Sequence, residues 1–120
     1  MFIRSLESCA ELVAGDGTRL RELVHGPKDK LKLNYSLAQA RLAPGNTSHR
    51  HRLLSSEIYY LLAGQGRMEI DGKFQDVSAG DTIYIPPGST QGIANTGLED
   101  LVFLCIVDPA WRKEDEEIEN

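Results

Sequence analysis

Cysteine is scarce in this 120-residue chain: Cys9 and Cys105 lie in separate segments and form no C-x-x-C pair. That usage points to buried reduced thiols rather than a metal knuckle or a redox couple, although spacing alone leaves a disulfide open. Long apolar runs are missing as well. The most apolar N-terminal stretch is broken by Glu7, Glu11 and Asp16, so neither a secretory core nor a spanning helix is expected and a cytoplasmic location is the default. Basic blocks are absent. Thirteen Lys and Arg stand against 18 Asp and Glu, a net charge of −5, and with no cluster to neutralise a phosphate backbone, nucleic acid and anionic membrane are not expected as partners. No run reaches helical length, and there is no Ser-His-Asp arrangement, phosphate-binding glycine loop, internal repeat or linker.

What is present suits one compact domain over residues 1–120. Hydrophobic residues make up 41% of the chain, charged residues 26%, and the 11 glycines are spread along its length. From Tyr35 onward, short runs rich in β-branched, aromatic and aliphatic residues recur at 35–42, 57–63, 66–70, 73–77, 82–86, 91–95 and 101–107. Such runs, punctuated by Gly, Pro, Asn and Asp, read as many short antiparallel strands of a sandwich, jelly roll or barrel. Asp71-Gly72 is the pair favoured in a two-residue type I′ hairpin turn, and "AGD" at 79–81 and "PPG" at 86–88 mark two further reversals. Before Tyr35, "TRLRELV" at 18–24 reads as an outer strand and "HGPKDK" at 25–30 as a loop. The acidic tail, 111–120, is expected to fray or to form one short helical turn.

Side chains alternate along a strand, so His49 and His51 share a face if their segment is extended, as do Glu57, Tyr59 and Leu61, and Gln91, Ile93 and Asn95. Two imidazoles and a carboxylate suit a divalent first-row metal and leave positions open for water or substrate. Taken alone, an H-x-H pair reads more simply as two polar residues of a surface loop.

Two ordered motifs carry more weight. Residues 45–64, "GNTSHRHRLLSSEIYYLLAG", and 80–95, "GDTIYIPPGSTQGIAN", resemble the first and second motifs of the cupin superfamily, with Gly80, Pro86, Gly88 and Asn95 at the expected spacing. The resemblance covers about residues 35–107 and implies an all-β fold, a double-stranded β-helix jelly-roll barrel with a metal inside its mouth. It carries the ligand roles onto His49, His51 and Glu57, with Gln91 in the place of a fourth, normally histidine, ligand. The implied cofactor is one divalent transition metal, Zn, Ni, Fe or Mn. The gap from Gly45 to His49 is shorter than the family's, and the gap from His51 to Glu57 is longer, so the strand is expected to bulge or loop at "RLLSS". Gln91 either coordinates through its amide oxygen, at lower affinity, or stands as a hydrogen-bonding wall residue in a barrel without metal.

The resemblance implies either of two functions. The first is a small metal-dependent enzyme acting on a sugar, sugar acid, diketone or organic acid by isomerisation, decarboxylation or dioxygenation, with Glu57 and Tyr59 as candidate catalytic proton carriers. The second is a non-catalytic cupin that binds or senses a small ligand. Ala38, Ala40 and Leu42 are expected either to pack or to line a pocket, and Arg41 to face solvent. His25 reads as an ordinary histidine, and Trp111 as packing for the tail or, less simply, a lid. A homodimer is expected, with "MFIRSL" as a strand that pairs with the partner's sheet.

Overall fold

The computed structural model describes residues 1–119. In it, the runs seen after Tyr35 become β-strands within a residue or so of their expected ends. In chain order the strands are β1 (Leu12–Val13), β2 (Arg19–His25), β3 (Ser36–Leu42), β4 (His51–Leu53), β5 (Ser56–Ala63), β6 (Gln65–Ile70), β7 (Lys73–Ser78), β8 (Thr82–Ile85), β9 (Thr90–Asn95), β10 (Leu101–Asp108) and β11 (Glu116–Ile118). They form a six-stranded sheet, β1-β2-β3-β10-β5-β8, and a five-stranded sheet, β11-β4-β9-β6-β7. All their pairings are antiparallel. This is the jelly-roll barrel expected from the sequence.

Turn chemistry sets the register. Asp71 (φ 51°) and Gly72 (φ 80°) both take positive φ between β6 and β7, the type I′ geometry that matches strand twist. Gly64 joins β5 to β6 at φ 92°, and a Cβ there would lie 2.7 Å from the carbonyl oxygen of Asp100, so the reversal needs a residue without a side chain. Between the sheets, alternate residues fill the interior: Leu61, Ile85, Ile93, Leu101 and Phe103 are almost wholly buried. Each contributes about 1.5–3 kcal/mol of apolar burial. The Phe103 ring packs at 4.6 Å between centroids on Tyr59, which anchors the strand that carries the candidate site.

Three regions differ from the sequence reading. "MFIRSL" is not a strand: Met1–Ser5 carry no regular structure and Leu6–Ser8 make one 3₁₀ turn. Arg4 instead reaches the Asp29 carboxylate through two hydrogen bonds, at 3.0 and 3.1 Å, so the segment is held against its own chain. "HGPKDK" is a short helix α1 (Gly26–Asp29) rather than a loop; His25 caps it by accepting from the Lys28 amide, and Pro27 sits in its first turn.

The acidic tail makes the one short turn expected of it, over Lys113–Asp115, but then continues as a strand that the sequence reading did not foresee. After a 3₁₀ turn it becomes β11, antiparallel to β4, with Ile118 opposite His51. Two causes are visible. The edge of β4 offers unpaired backbone groups that a strand satisfies. Arg50 and Arg52 also attract the tail's carboxylates, Arg50 to Glu119 at 2.7 Å and Arg52 to Glu117 at 3.6 Å. At "RLLSS" the chain loops, the second of the two expected outcomes: β4 stops at Leu53, Leu54 is exposed, and Ser55 donates to the Pro109 carbonyl at 2.8 Å.

Candidate functional site

A cavity of about 250 Å³ opens between the inner face of the six-stranded sheet and β4, beneath the tail. Its apolar wall includes Ala38, Ala40, Leu53 and Phe103, so the small residues of β3 do line a pocket. Its polar groups include Asp16, His51, Glu57, Tyr59 and Glu116. A larger hollow of about 530 Å³ between β6, β7 and β8 is lined by residues such as Ile70, Phe74 and Tyr84, and it contains none of the motif's histidine, glutamate or glutamine side chains.

Strand alternation places the polar floor. On β5, Glu57, Tyr59 and Leu61 are buried while Ile58, Tyr60 and Leu62 face outward. On β9, Gln91 is buried and stands opposite His51 of β4. The floor therefore joins both sheets. The Tyr59 hydroxyl donates to Gln91 Oε1 at 2.9 Å, and Gln91 Nε2 donates to Glu57 Oε1 at 2.8 Å. Gln91 is 1% exposed, and both ends of its amide are engaged, as burial of an amide requires.

Burial pushes the Glu57 carboxyl up to about 8; the Gln91 hydrogen bond acts against the rise, and the carboxylates of Asp16 and Glu116 add to it. At neutral pH Glu57 is then held mainly in its protonated form. Because Oε1 accepts from Gln91, the proton belongs on Oε2, which is left to donate. Burial, followed by the Glu57 charge, also pushes the Tyr59 phenol well up, so it stays a neutral donor. Burial raises the Cys105 thiol in the same way, leaving it a small apolar wall residue.

The two histidines of H-x-H part company. His51 begins β4 and is 3% exposed; its Nδ1 lies 3.0 Å from the His49 carbonyl. A carbonyl only accepts, so Nδ1 carries the hydrogen, and in the neutral ring Nε2 presents a lone pair to the cavity. His49 precedes the strand, and its side chain is exposed and lies against Gly17. Its amide donates to the Asp16 carbonyl at 2.7 Å, which turns the segment toward the β1–β2 loop and out of the alternation that an extended strand would impose. Four residues were expected to converge. The structure brings His51, Glu57, Gln91 and Tyr59 to one floor and leaves His49 at the rim.

Among the described residues, no group of three or more His, Cys, Asp or Glu side chains stands close enough together to hold a metal ion. Gln91 is committed to Tyr59 and Glu57, and His49 faces away. As arranged, this donor set does not form a metal cradle.

One cavity residue carried no functional signal in the sequence. Asp16 is 8% exposed; its Oδ1 accepts from the Thr18 amide at 3.0 Å and from the Thr18 hydroxyl at 2.7 Å. Its Oδ2 lies 3.8 Å from His51 Nε2. "DGT" at 16–18 is readable as a turn in which Asp bonds the backbone two residues on, but nothing local says that the turn faces a cavity. His25 is structural: Nδ1 caps α1, and Nε2 donates to the Trp111 carbonyl at 2.9 Å. Arg41 is half-exposed and paired with Glu11 and Asp100 rather than free in solvent. Asn95 ties loops together, donating to the carbonyls of Leu42 and Glu99 and accepting from the Gly97 amide.

Residues 38–107 match the family model described as the cupin domain. The chain belongs to the cupin family. This cupin is 41% identical over 108 residues to an uncharacterized protein of Methanocaldococcus jannaschii, across 88% of this chain and 85% of that one. It is 37% identical over 112 residues to a Thermotoga maritima protein named oxalate-binding protein, across 89% and 93% of the two chains. Among solved structures, a variant of Bacillus subtilis oxalate decarboxylase superposes with a TM-score of 0.82 at 24% identity, over 97% of this chain and 32% of that one. That last likeness shows the fold alone.

Proposed function

We propose that this cupin binds a small oxygenated molecule, a sugar acid, diketone or other organic acid, in the barrel cavity and acts on it as an acid–base enzyme with Glu57 as the catalytic proton donor. The observation that carries the reading is the Tyr59–Gln91–Glu57 chain of hydrogen bonds at the floor of an otherwise largely apolar cavity. Gln91 cannot itself pass a proton, because an amide nitrogen holds its hydrogens. Its role is to fix the Glu57 rotamer so that the protonated Oε2 points at a bound carbonyl or hydroxyl oxygen, while His51 Nε2 accepts a ligand hydrogen. The apolar wall excludes water and strengthens these bonds. No step is routed through a metal.

The second reading is a non-catalytic ligand-binding cupin. It is favoured by the name of the 37% identical Thermotoga maritima relative, an oxalate-binding protein, whose length this chain nearly spans. Pairing of two copies is part of the proposal, supported by the exposed apolar side chains of Leu12 and Val13 on edge strand β1. Sedimentation measures it.

The deciding experiment is calorimetry and turnover with a panel of hydroxy acids, dicarbonyls and dicarboxylates, comparing the wild type with Glu57→Gln. The enzyme reading expects a bound panel member to be converted, with Glu57→Gln lowering kcat about 10²- to 10⁴-fold and changing affinity little. Binding without turnover in the wild type supports the second reading. Turnover unchanged in Glu57→Gln sinks the catalytic role.

A further inference from the structure

We infer that Lys28, at the outer end of the cavity, receives the carboxylate of an organic-acid ligand and so holds the ligand's neutral oxygen function at the Glu57 floor. The inference narrows the proposed ligand class to acids whose carboxylate is well separated from a carbonyl or hydroxyl, and it rests on the proposed ligand cavity.

Among the described residues, Lys28 is the one Lys or Arg side chain in the cavity lining. Its ammonium lies 3.2 Å from Glu22 Oε1 and 5.9 Å from the centroid of the Trp111 ring, and Glu22 and Trp111 line the same cavity. A carboxylate of the protein itself thus marks the place that a ligand carboxylate takes. The pair is open to exchange. The Lys28 side chain is 58% exposed and the Glu22 side chain 29%, and an ion pair in such contact with water contributes little to stability. A ligand carboxylate therefore replaces Glu22 at low cost, while the Trp111 ring keeps the ammonium at the cavity through a cation–π contact.

Strand register gives the length of the ligand. Glu22, Ala38, Cys105 and Tyr59 pair in one row across β2, β3, β10 and β5, and all four line the cavity. Three strand spacings, roughly 14 Å between backbones, separate the ends of that row. Ala38 and Cys105 in its middle are small, so the space above them is left to the ligand. An acid of two carbons meets one end only, whereas an oxo or hydroxy acid of sugar-acid length reaches both.

Charge sets the orientation. At the floor, the carboxylates of Asp16 and Glu116 already oppose ionisation of Glu57, and they repel a ligand carboxylate in the same way. A neutral carbonyl or hydroxyl oxygen meets no such repulsion and accepts from Glu57 Oε2. At Lys28 the sign is reversed, and a carboxylate gains a charge-assisted hydrogen bond.

The test compares, by calorimetry, the binding of 5-oxohexanoate with that of its neutral amide, 5-oxohexanamide, which differ in charge at one end only. The indole ¹⁵N–H resonance of Trp111 reports that each compound sits in the cavity. The acid is expected to bind the wild type at least about tenfold more tightly than the amide. Lys28→Met, which keeps an apolar stem over Trp111, should abolish that preference, Lys28→Arg should retain it, and Glu22→Gln, which frees the ammonium, should enlarge it. Equal affinities in the wild type, binding of neither compound, or a preference that survives in Lys28→Met with an unchanged melting curve overturns the inference. A Lys28-dependent acid preference with no panel compound converted leaves the carboxylate site standing and sinks the enzyme reading. Conversion that depends on Glu57 but shows no acid preference sinks the carboxylate site alone, so the two failures are distinguishable.

Discussion

The amide nitrogen of Gln91 donates to Glu57 Oε1 at 2.8 Å, tying a strand of the five-stranded sheet to a strand of the six-stranded sheet across the barrel floor. The same amide accepts from Tyr59, so one side chain satisfies two buried polar groups.

Replacing Gln91 by Leu keeps the volume and strands both partners. Each stranded group costs about 1–3 kcal/mol when buried, so Gln91→Leu is expected to destabilise the protein by about 2–5 kcal/mol in urea denaturation. The paired change Gln91→Leu with Tyr59→Phe should recover part of that loss, because the phenol no longer lacks an acceptor. A double variant no more stable than the single one contradicts the network.

Glu57 gives the fold a pH dependence of definite sign. Its folded value of about 8 lies above the ordinary 4.5, so between those values the folded state holds a proton that the unfolded chain has released. Stability from this group is therefore complete below about pH 4.5 and is lost as pH rises through about 8, with a slope of at most about 1.4 kcal/mol per pH unit. Carboxylates such as Glu11 and Asp29, held low by their hydrogen bonds from Arg41 and Arg4, act in the opposite sense at lower pH. Melting temperatures of the wild type and Glu57→Gln, measured from pH 5 to 9, should converge at the acid end and separate toward the alkaline end, with the wild type falling. Parallel curves contradict the assignment.

The strands were legible because their residues obey local rules. Alternation buried Glu57, Tyr59 and Leu61 together, and Asp71-Gly72 made the turn its φ preferences require. The site was legible only where its residues lie on such strands. His49 escaped the alternation because its amide pairs with the Asp16 carbonyl, a contact across more than thirty residues that no local pattern encodes. Asp16 and the tail strand were missed for the same reason: their partners, His51 and the β4 edge, are distant in sequence.

Trp111 is the chain's one tryptophan, lines the cavity, and lies with its indole nitrogen 3.4 Å from Glu116 Oε2. Intrinsic emission therefore reports on the cavity without a label. A ligand that fills it should displace water from the ring and shift the emission to shorter wavelength, saturating with the calorimetric affinity. A compound that binds by calorimetry but leaves Trp111 emission unchanged binds elsewhere.

The tail forms part of the wall of the same cavity, through Trp111 and Glu116. Beyond Trp111, β11 is held to β4 by backbone pairing, by the Leu54 amide on the Asp115 carbonyl at 3.1 Å, and by the Arg50–Glu119 ion pair. Exposed ion pairs contribute little, about 0–1 kcal/mol, so Glu119→Ala alone should leave the melting temperature nearly unchanged. Removing residues 113–120 takes away the whole strand, including Glu116 from the cavity wall, while the buried residues of β5, β9 and β10 remain. The truncated chain should stay folded and release bound ligand faster, with koff rising at least tenfold in stopped-flow Trp111 fluorescence and kon changing less. An unchanged koff would mean that ligand leaves by a path that β11 does not cover.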